Sequence, residues 1–248
     1  MAAIRSGNFQ VTLDDTAVNI QGTLGSGGTK TAYDVSINGE AFALALPNTV
    51  DDTGIALDKW EVALREPQAT DRMREMGFIV NPICEVLPAT INGVTFPAIK
   101  MTRYQDMPIQ IRDGKNGNSS IIEDDLLPSD IRKGSFMDRT SGIRGDIAAL
   151  IKNNVSIGRD SFNICVVDGQ MRLYFNDLAQ AKFEPIDNER VEEYAEFYSK
   201  LAVGTIMNGM SYEEFQCHQG FFNEYFGFRG EGYGAFSGLV MDELAQVA

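Results

Sequence analysis

The densest group of residues able to do chemistry is a glycine-rich stretch at positions 24–33, with the sequence LGSGGTKTAY. Gly25, Gly27 and Gly28 surround Ser26 within it. Because glycine has no Cβ, the backbone N–H groups of such a stretch can approach an anion closely. The pattern therefore indicates a possible phosphate site, although glycines are also common in turns that bind nothing.

The rarest residue types argue against other chemistries. The single histidine, His218, lies in a polar and aromatic run that favours a structural role on a helix, so neither a Ser–His–Asp triad nor a multi-histidine metal site is expected. The three cysteines, Cys84, Cys165 and Cys217, are far apart and odd in number. They encode neither a disulfide framework nor a zinc site, which predicts a reducing compartment, the cytoplasm.

Charge and hydropathy restrict the partners. The chain has 21 basic and 35 acidic residues, a formal charge of −14, which argues against binding to nucleic acid or to an anionic membrane. No apolar run approaches the roughly 18 residues that a membrane-spanning helix needs, so no membrane insertion is expected. A 44% hydrophobic composition is enough to fill the core of one large domain or two lobes. The sequence does not specify an oligomeric state.

The first hundred residues are predicted to be mostly strands, because apolar and polar residues alternate there. The predicted strands are residues 9–13, 17–21, 31–37, 41–46, 78–86 and 94–101. A glycine-rich turn covers residues 22–28, and Asn38-Gly39 predicts a tight hairpin. One helical segment covers residues 58–65 and continues over residues 69–76 after Pro67. This half is predicted to be an antiparallel sheet interrupted by one helix.

The remaining residues are predicted to be mainly helical. Residues 105–120 are polar and glycine-rich, which indicates a connector. The predicted helices are residues 141–152, residues 188–207, a helix that begins at Ser211 and a last helix after the glycine-rich residues 227–238. A hairpin is predicted from residues 163–167 and 171–175 around Asp168-Gly169. The fold class is therefore expected to be α+β.

This order of elements resembles the protein-kinase fold, from about Ile20 to Met207. The resemblance implies two lobes, a β-rich N-lobe over residues 1–103 and a helical C-lobe over residues 104–248. The glycine stretch is similar to the kinase loop Leu-Gly-x-Gly-x-x-x-x-Val-Tyr. By that resemblance, Gly25, Ser26, Gly27 and Gly28 would bind the phosphates of ATP. Met101, which opens a hinge-like segment, would contact the same nucleotide.

The lysine that kinases carry on their third strand is missing, because residues 41–46 are AFALAL. Lys30 is the candidate replacement, since the run KTAY at positions 30–33 is similar to the Lys-Thr-Val-Tyr run of the with-no-lysine kinases. The alternative is that Lys30 is an ordinary exposed turn lysine. Kinases pair this lysine with a helix glutamate; Glu61 and Glu66 are the candidates, and Glu66 looks the better placed.

Two segments of the second half resemble catalytic motifs of kinases. GRDSFN at positions 158–163 is similar to a shortened His-Arg-Asp…Asn loop, and RLYFNDLA at positions 172–179 is similar to the strand that leads into Asp-Phe-Gly. The resemblance implies that Asp160 orients the attacking hydroxyl and that Asn163 and Asp177 hold Mg²⁺. Two alternatives remain: Asn176 takes the place of Asp177, or these residues are ordinary turn acids beside a hairpin.

Only about ten residues separate Asp177 from the helix expected near Asn188, so a long activation segment is absent. In this respect the chain resembles compact kinases that some bacteria deliver into host cells. The resemblance implies activation by a partner, or constitutive activity, and a possible location in the cytosol of a host cell.

The expected function is ATP- and Mg²⁺-dependent phosphoryl transfer to a hydroxyl, expected on a protein. One alternative is a pseudokinase that acts as a nucleotide- or partner-binding module, which the missing third-strand lysine favours and the retained acids oppose. Another is a kinase-fold enzyme that transfers AMP. A third is an interaction protein without any nucleotide.

Overall fold

The computed structural model of the protein describes residues 2–3, 10–27, 29–50, 60–91, 93–112, 140–208 and 234–246. The chain divides into two compact units: Met1–Glu75, Val80–Met107 and Asp177–Gln180 form the first, and Met76–Ile79, Pro108–Asn176 and Ala181–Ala248 form the second. The expected α+β class is confirmed. No helix among the described residues combines the length and the apolar character needed to cross a membrane.

The strands are, in chain order, β1 (Ala2–Ala3), β2 (Val11–Leu13), β3 (Thr16–Ala17), β4 (Asn19–Ser26), β5 (Lys30–Ile37), β6 (Glu40–Pro47), β7 (Thr49–Val50), β8 (Ile79–Val80), β9 (Cys84–Ile91), β10 (Val94–Met101), β11 (Gln110–Arg112), β12 (Val155–Ser156), β13 (Phe162–Val167), β14 (Gln170–Phe175) and β15 (Lys182–Phe183). The α-helices are α1 (Trp60–Ala63), α2 (Glu66–Glu75), α3 (Ser141–Lys152), α4 (Val191–Asn208) and α5 (Gly234–Gln246). Short 3-10 turns cover Tyr104–Asp106, Leu178–Gln180 and Asn188–Arg190.

The first unit is built on a seven-stranded sheet with the order β3-β2-β9-β10-β6-β5-β4. Every neighbouring pair in it is antiparallel. One face carries a large apolar cluster that includes Tyr33, Val35 and Leu44. The other face carries a second cluster that joins Ala45 to Trp60 of α1. Successive residues of a strand point to opposite faces, and the strands β6, β9 and β10 contribute to both clusters.

The glycine-rich segment is less of a turn than the sequence suggested. β4 runs through Gly22 and Gly25 to Ser26, with register shifts between Ile20 and Gly22 and between Thr23 and Gly25. The predicted turn at residues 22–28 is therefore wrong in extent. Glycines interrupt the apolar alternation but do not stop backbone pairing with β5, because bulges absorb the extra residues.

The predicted strand at residues 78–86 is also wrong, because it is divided into β8 and β9. Asn81 causes the break: its Oδ1 accepts from the backbone N–H of Ile83 (3.1 Å) and of Thr102 (3.0 Å), and its Nδ2 donates to the carbonyl oxygen of Thr102 (2.9 Å). A side chain that bonds to the backbone in this way competes with the ladder of a sheet.

The predicted helical segment is two short helices. α1 ends at Ala63, and α2 begins at Glu66 after a two-residue turn. Pro67 is the second residue of α2. Proline is tolerated there because the N–H groups of a first helical turn have no partner within the helix. Pro67 therefore restarts the helix rather than ending it.

The second unit contains a small sheet with the order β11-β13-β14-β8. Of the two residues of β8, Ile79 belongs to this unit. The predicted hairpin is confirmed, and its turn residues Asp168 and Gly169 have φ angles of 51° and 76°. β11 was not expected, because residues 105–120 were predicted to be a connector. Gln110–Arg112 instead pair with β13, and that partner is not visible in the local sequence.

The helices α3, α4 and α5 pack against one another in the second unit, and α3 also packs on β14. α3 has the bounds predicted from the sequence, and α4 follows the 3-10 turn Asn188–Arg190. Asp146 of α3 is buried, and both its oxygens accept hydrogen bonds from Nε of Arg172. The helix predicted from Ser211, together with Cys217 and His218, lies outside the described residues.

Candidate functional site

Lys30 is the first residue of β5 and points toward the helices of the first unit. It lies on the same strand face as Ala32, which pairs with Ala45 of the helix-side cluster. Its Nζ donates a hydrogen bond to the Glu66 carboxylate and lies 3.0 Å from Oδ1 of Asp177. Three residues that the sequence analysis selected therefore meet within one unit.

Glu66 meets Lys30 because α2 begins there. Its side chain is 5% exposed, and it occupies the first turn of the helix, where the unpaired N–H groups favour a negative charge. Glu61, the other candidate, is exposed on α1. Of the two glutamates considered from the sequence, Glu66 is the one that pairs with Lys30.

Asp177 is presented by a backbone conformation that is unusual for a residue with a side chain. Its φ is 51°, in the left-handed region, where aspartate is tolerated better than most residues. The next residue, Leu178, is 1% exposed and begins a turn that contacts α1 and α2. This anchor holds Asp177 at Lys30. Asn176 belongs to the second unit, where its N–H donates to the carbonyl oxygen of Ser161 (2.9 Å).

The charges of this site favour a protonated lysine. Burial by itself would lower the pKa of Lys30, but the neighbouring Glu66 and Asp177 outweigh burial and raise the pKa above its ordinary value. Lys30 therefore carries its positive charge at neutral pH. One cation faces two carboxylates, and the Asp177 carboxylate is the exposed one, with 51% of its side chain accessible.

The tip of the glycine stretch is a tight, well-bonded turn. The N–H of Gly27 donates to the carbonyl oxygen of Lys30 (2.9 Å), and the Ser26 and Thr31 hydroxyl oxygens lie 2.9 Å apart. Thr31 donates to Oδ1 of Asn48 (2.7 Å). Gly28 lies outside the described residues.

Asn48 is a residue that sequence reasoning missed. It is 8% exposed and directly follows β6. The sequence signal that could have identified Asn48 is its position after Pro47, at the end of a long apolar run. A polar residue that is buried there must form hydrogen bonds.

Met101 is the last residue of β10, and its partly buried side chain packs against the cluster formed by Ala45, Trp60 and Ile99. The neighbouring Arg103 donates from Nη1 to Oδ1 of Asp34 (3.0 Å). The segment after β10 is thereby bonded to β5, a link that the sequence analysis did not anticipate.

Asp160 and Asn163 belong to the second unit. Asp160 is exposed in the turn that precedes β13. Asn163 lies within β13 opposite Tyr174 and is 6% exposed. The two residues selected from the shortened catalytic-loop motif therefore lie in different settings, Asp160 in an exposed turn and Asn163 in a buried strand.

No protein-family model matches the chain, and no curated protein sequence matches it significantly.

Proposed function

We propose that the first unit binds Mg²⁺·ATP and that the protein transfers the γ-phosphoryl group to a hydroxyl, expected on a protein substrate. The observation that carries this proposal is the position of Lys30, which is paired with the buried Glu66 and lies 3.0 Å from the exposed Asp177. A cation held between a fixed carboxylate and an accessible one suits a site that binds phosphates and a metal together.

In this proposal Lys30 neutralises charge on the phosphates. Its raised pKa keeps it cationic, and Glu66 restricts a side chain that would otherwise be flexible. A lysine oriented before the ligand arrives costs less conformational entropy on binding.

The glycine positions support an anion in the same place. A Cβ built at Gly25 would meet no atom within 4 Å, and one built at Gly27 would meet only the carbonyl oxygen of Lys30, at 3.8 Å. Neither glycine has a positive φ angle. The described part of the fold therefore does not require glycine at these two positions, whereas the close approach of a phosphate to the backbone would.

Asp177 is the residue of the first unit that would hold the metal. Among the residues that the structure describes, no group of three or more carboxylate, histidine or cysteine side chains could hold an ion alone. Mg²⁺ commonly uses one or two carboxylates together with phosphate oxygens, so Asp177 fits a nucleotide-bound metal better than a free one.

The test is a thermal-shift titration with ATP, with and without Mg²⁺. A ligand that binds the folded state raises the unfolding midpoint as its concentration exceeds its Kd. We expect a Mg²⁺-dependent shift that Asp177→Asn and Lys30→Met both abolish. Lys100→Met is the matched control, because the Lys100 side chain is equally exposed and also faces two carboxylates, Glu40 and Glu85.

Labelled nucleotide then identifies the reaction. Transfer of label from γ-labelled ATP supports phosphoryl transfer, whereas transfer from α-labelled ATP would replace it with AMP transfer. A Mg²⁺-dependent shift without any transfer would leave a nucleotide-binding module. If millimolar ATP produces no shift in the wild-type protein, the proposal is overturned.

A further inference from the structure

One buried residue, Asn48, is hydrogen-bonded to the chain on both sides of Lys30. Asn48 accepts a hydrogen bond at Oδ1 from the Thr31 hydroxyl (2.7 Å) and donates from Nδ2 to the carbonyl oxygen of Gly27 (2.9 Å). Its own backbone N–H donates to the carbonyl oxygen of Thr29 (3.1 Å). Asn48 is thus bonded to the residues that flank Lys30 and to the glycine at the tip of the turn.

Burial makes one of these bonds hard to replace. Asn48 is 8% exposed and Thr31 is 3% exposed, so water has little access to the bond between their side chains, whereas Gly27 is exposed. A buried polar group that loses its partner carries its full desolvation penalty. The bond between Asn48 and Thr31 therefore resists replacement by water.

Five bonds join Cα of a lysine to Nζ, so the position of the backbone limits where the ammonium can reach. Lys30 and Thr31 are neighbours on β5, so their side chains point to opposite faces of the sheet. Asn48 bonds on the Thr31 side, and Glu66 and Asp177 contact Lys30 on the other.

We propose that Asn48 is a positioning residue: it holds Gly27, Thr29 and Thr31 so that Nζ of Lys30 reaches Glu66 and Asp177 and stays in place to receive an anion. Its effect on a nucleotide rests on the function proposed above. Its effect on Lys30 does not, and the two can be tested separately.

The first arm measures the reactivity of Lys30 itself. The native protein is acetylated with an N-hydroxysuccinimide ester, and the rate at each lysine is followed by mass spectrometry. Asn48→Ala removes both side-chain bonds, whereas Asn48→Asp keeps an acceptor for Thr31 but places an oxygen against the carbonyl of Gly27. We expect both variants to raise the acetylation rate of Lys30 about tenfold, the change that accompanies the loss of a bond worth 1.4 kcal/mol.

Two controls separate positioning from general loosening. Lys100 is the internal control, since its side chain is 20% exposed, as is that of Lys30, and it also lies near two carboxylates. Tyr198→Phe is the matched variant, because it removes a buried hydrogen bond in the second unit and leaves the turn intact. Neither the rate at Lys100 in the Asn48 variants nor the rate at Lys30 in Tyr198→Phe is expected to change.

The second arm measures Mg²⁺·ATP affinity by calorimetry on the same proteins. We expect Asn48→Ala and Asn48→Asp to bind about tenfold more weakly than the wild type, and Tyr198→Phe to bind as the wild type does. If the wild-type protein does not bind Mg²⁺·ATP, the proposed function fails, and the acetylation rates still decide the role of Asn48. An unchanged rate at Lys30, or an equal rise at Lys30 and Lys100, would overturn the positioning role.

Discussion

Nζ of Lys30 lies 3.0 Å from Oδ1 of Asp177, although the two residues come from opposite halves of the sequence. Asp177 reaches Lys30 because Leu178, the next residue, is buried in a turn that contacts α1 and α2 of the first unit. A short stretch from the second half of the chain therefore completes the charged cluster of the first unit.

Removing the cation from this cluster should destabilise the protein. Lys30→Met leaves Glu66 buried without its partner, and we expect it to lower the free energy of unfolding by about 2 kcal/mol. Replacing both residues, as Lys30→Met with Glu66→Gln, should restore about 1 kcal/mol because no buried charge remains. Urea denaturation of the single and double variants measures both values. A double variant that is no more stable than Lys30→Met would show that Lys30 and Glu66 do not form the buried ion pair described here.

The contribution of Lys30 to the free energy of unfolding depends on pH in a defined way. The pKa of Lys30 is raised in the folded protein, because Glu66 and Asp177 outweigh the lowering effect of burial. Its contribution to stability is then fully present below the ordinary lysine pKa of about 10.4 and is lost as the pH rises through the folded-state pKa. The stability difference between the wild type and Lys30→Met should be constant from about pH 6 to pH 9 and should shrink above about pH 10.4. A difference that already falls within the neutral range would argue against a raised pKa.

The helix α3 offers a matched pair of glycine substitutions. A Cβ at Gly142 would lie 2.6 Å from the carbonyl oxygen of Met171 and 2.4 Å from Cδ of Arg172, and the carbonyl belongs to a strand backbone that cannot easily move. We expect Gly142→Ala to cost about 1–3 kcal/mol by overpacking. Gly145→Ala on the same helix meets open space and should stabilise the protein by about 0.5–1 kcal/mol. Equal effects at the two sites, measured by urea denaturation, would show that α3 does not pack on β14 as described.

The hydroxyl of Tyr198 connects α4 to β12 and to the residue that follows it. The backbone N–H of Ile157 donates to it at 3.0 Å, and the hydroxyl donates to the carbonyl oxygen of Val155 at 3.5 Å. Tyr198→Phe should cost about 1–2 kcal/mol, because the buried N–H of Ile157 loses its acceptor. Tyr194→Phe, at a partly buried position on the same helix, should change stability by less than about 0.5 kcal/mol. Thermal or urea unfolding of the two variants distinguishes them.

The two described cysteines should be unreactive in the native protein. Burial raises the pKa of the Cys84 and Cys165 thiols to about 12. At pH 8 roughly one such thiol in ten thousand is the reactive thiolate. In a Cys217→Ser variant, we expect both to react with a chromogenic disulfide reagent quickly in urea and only at the rate of unfolding without it. Rapid reaction in the native state would place one of them at an accessible surface.

Several elements could be predicted from the sequence because short-range chemistry determines them. The apolar alternation of β5, the Asn38-Gly39 turn and the Asp168-Gly169 hairpin depend on neighbouring residues alone, and their positions agree with the structure. The helix α3 has an apolar face that is visible in its own residues. In each case, local pattern and final environment require the same conformation.

The errors lie where a partner outside the segment itself decides the conformation. β4 continues through its glycines because β5 pairs with it, and β11 forms because β13 offers an edge. The break between β8 and β9 depends on Asn81 bonding to Thr102, which follows another strand. The bulges of β4 obscure its pairing with the next strand, and the partners of β11 and of Asn81 are far away in the chain.

The candidate site, too, could be predicted from the sequence only in part. The resemblance to protein kinases, and not spacing alone, singled out Lys30, Glu66 and Asp177 as candidates for binding phosphate and metal. The meeting of the three and the bonds that Asn48 makes depend on tertiary structure, which agrees with the preference for Glu66 over Glu61. They follow from the packing of α2 against β9 and from the burial of Leu178, because a contact between distant residues forms only when the packing of a core brings their backbones together.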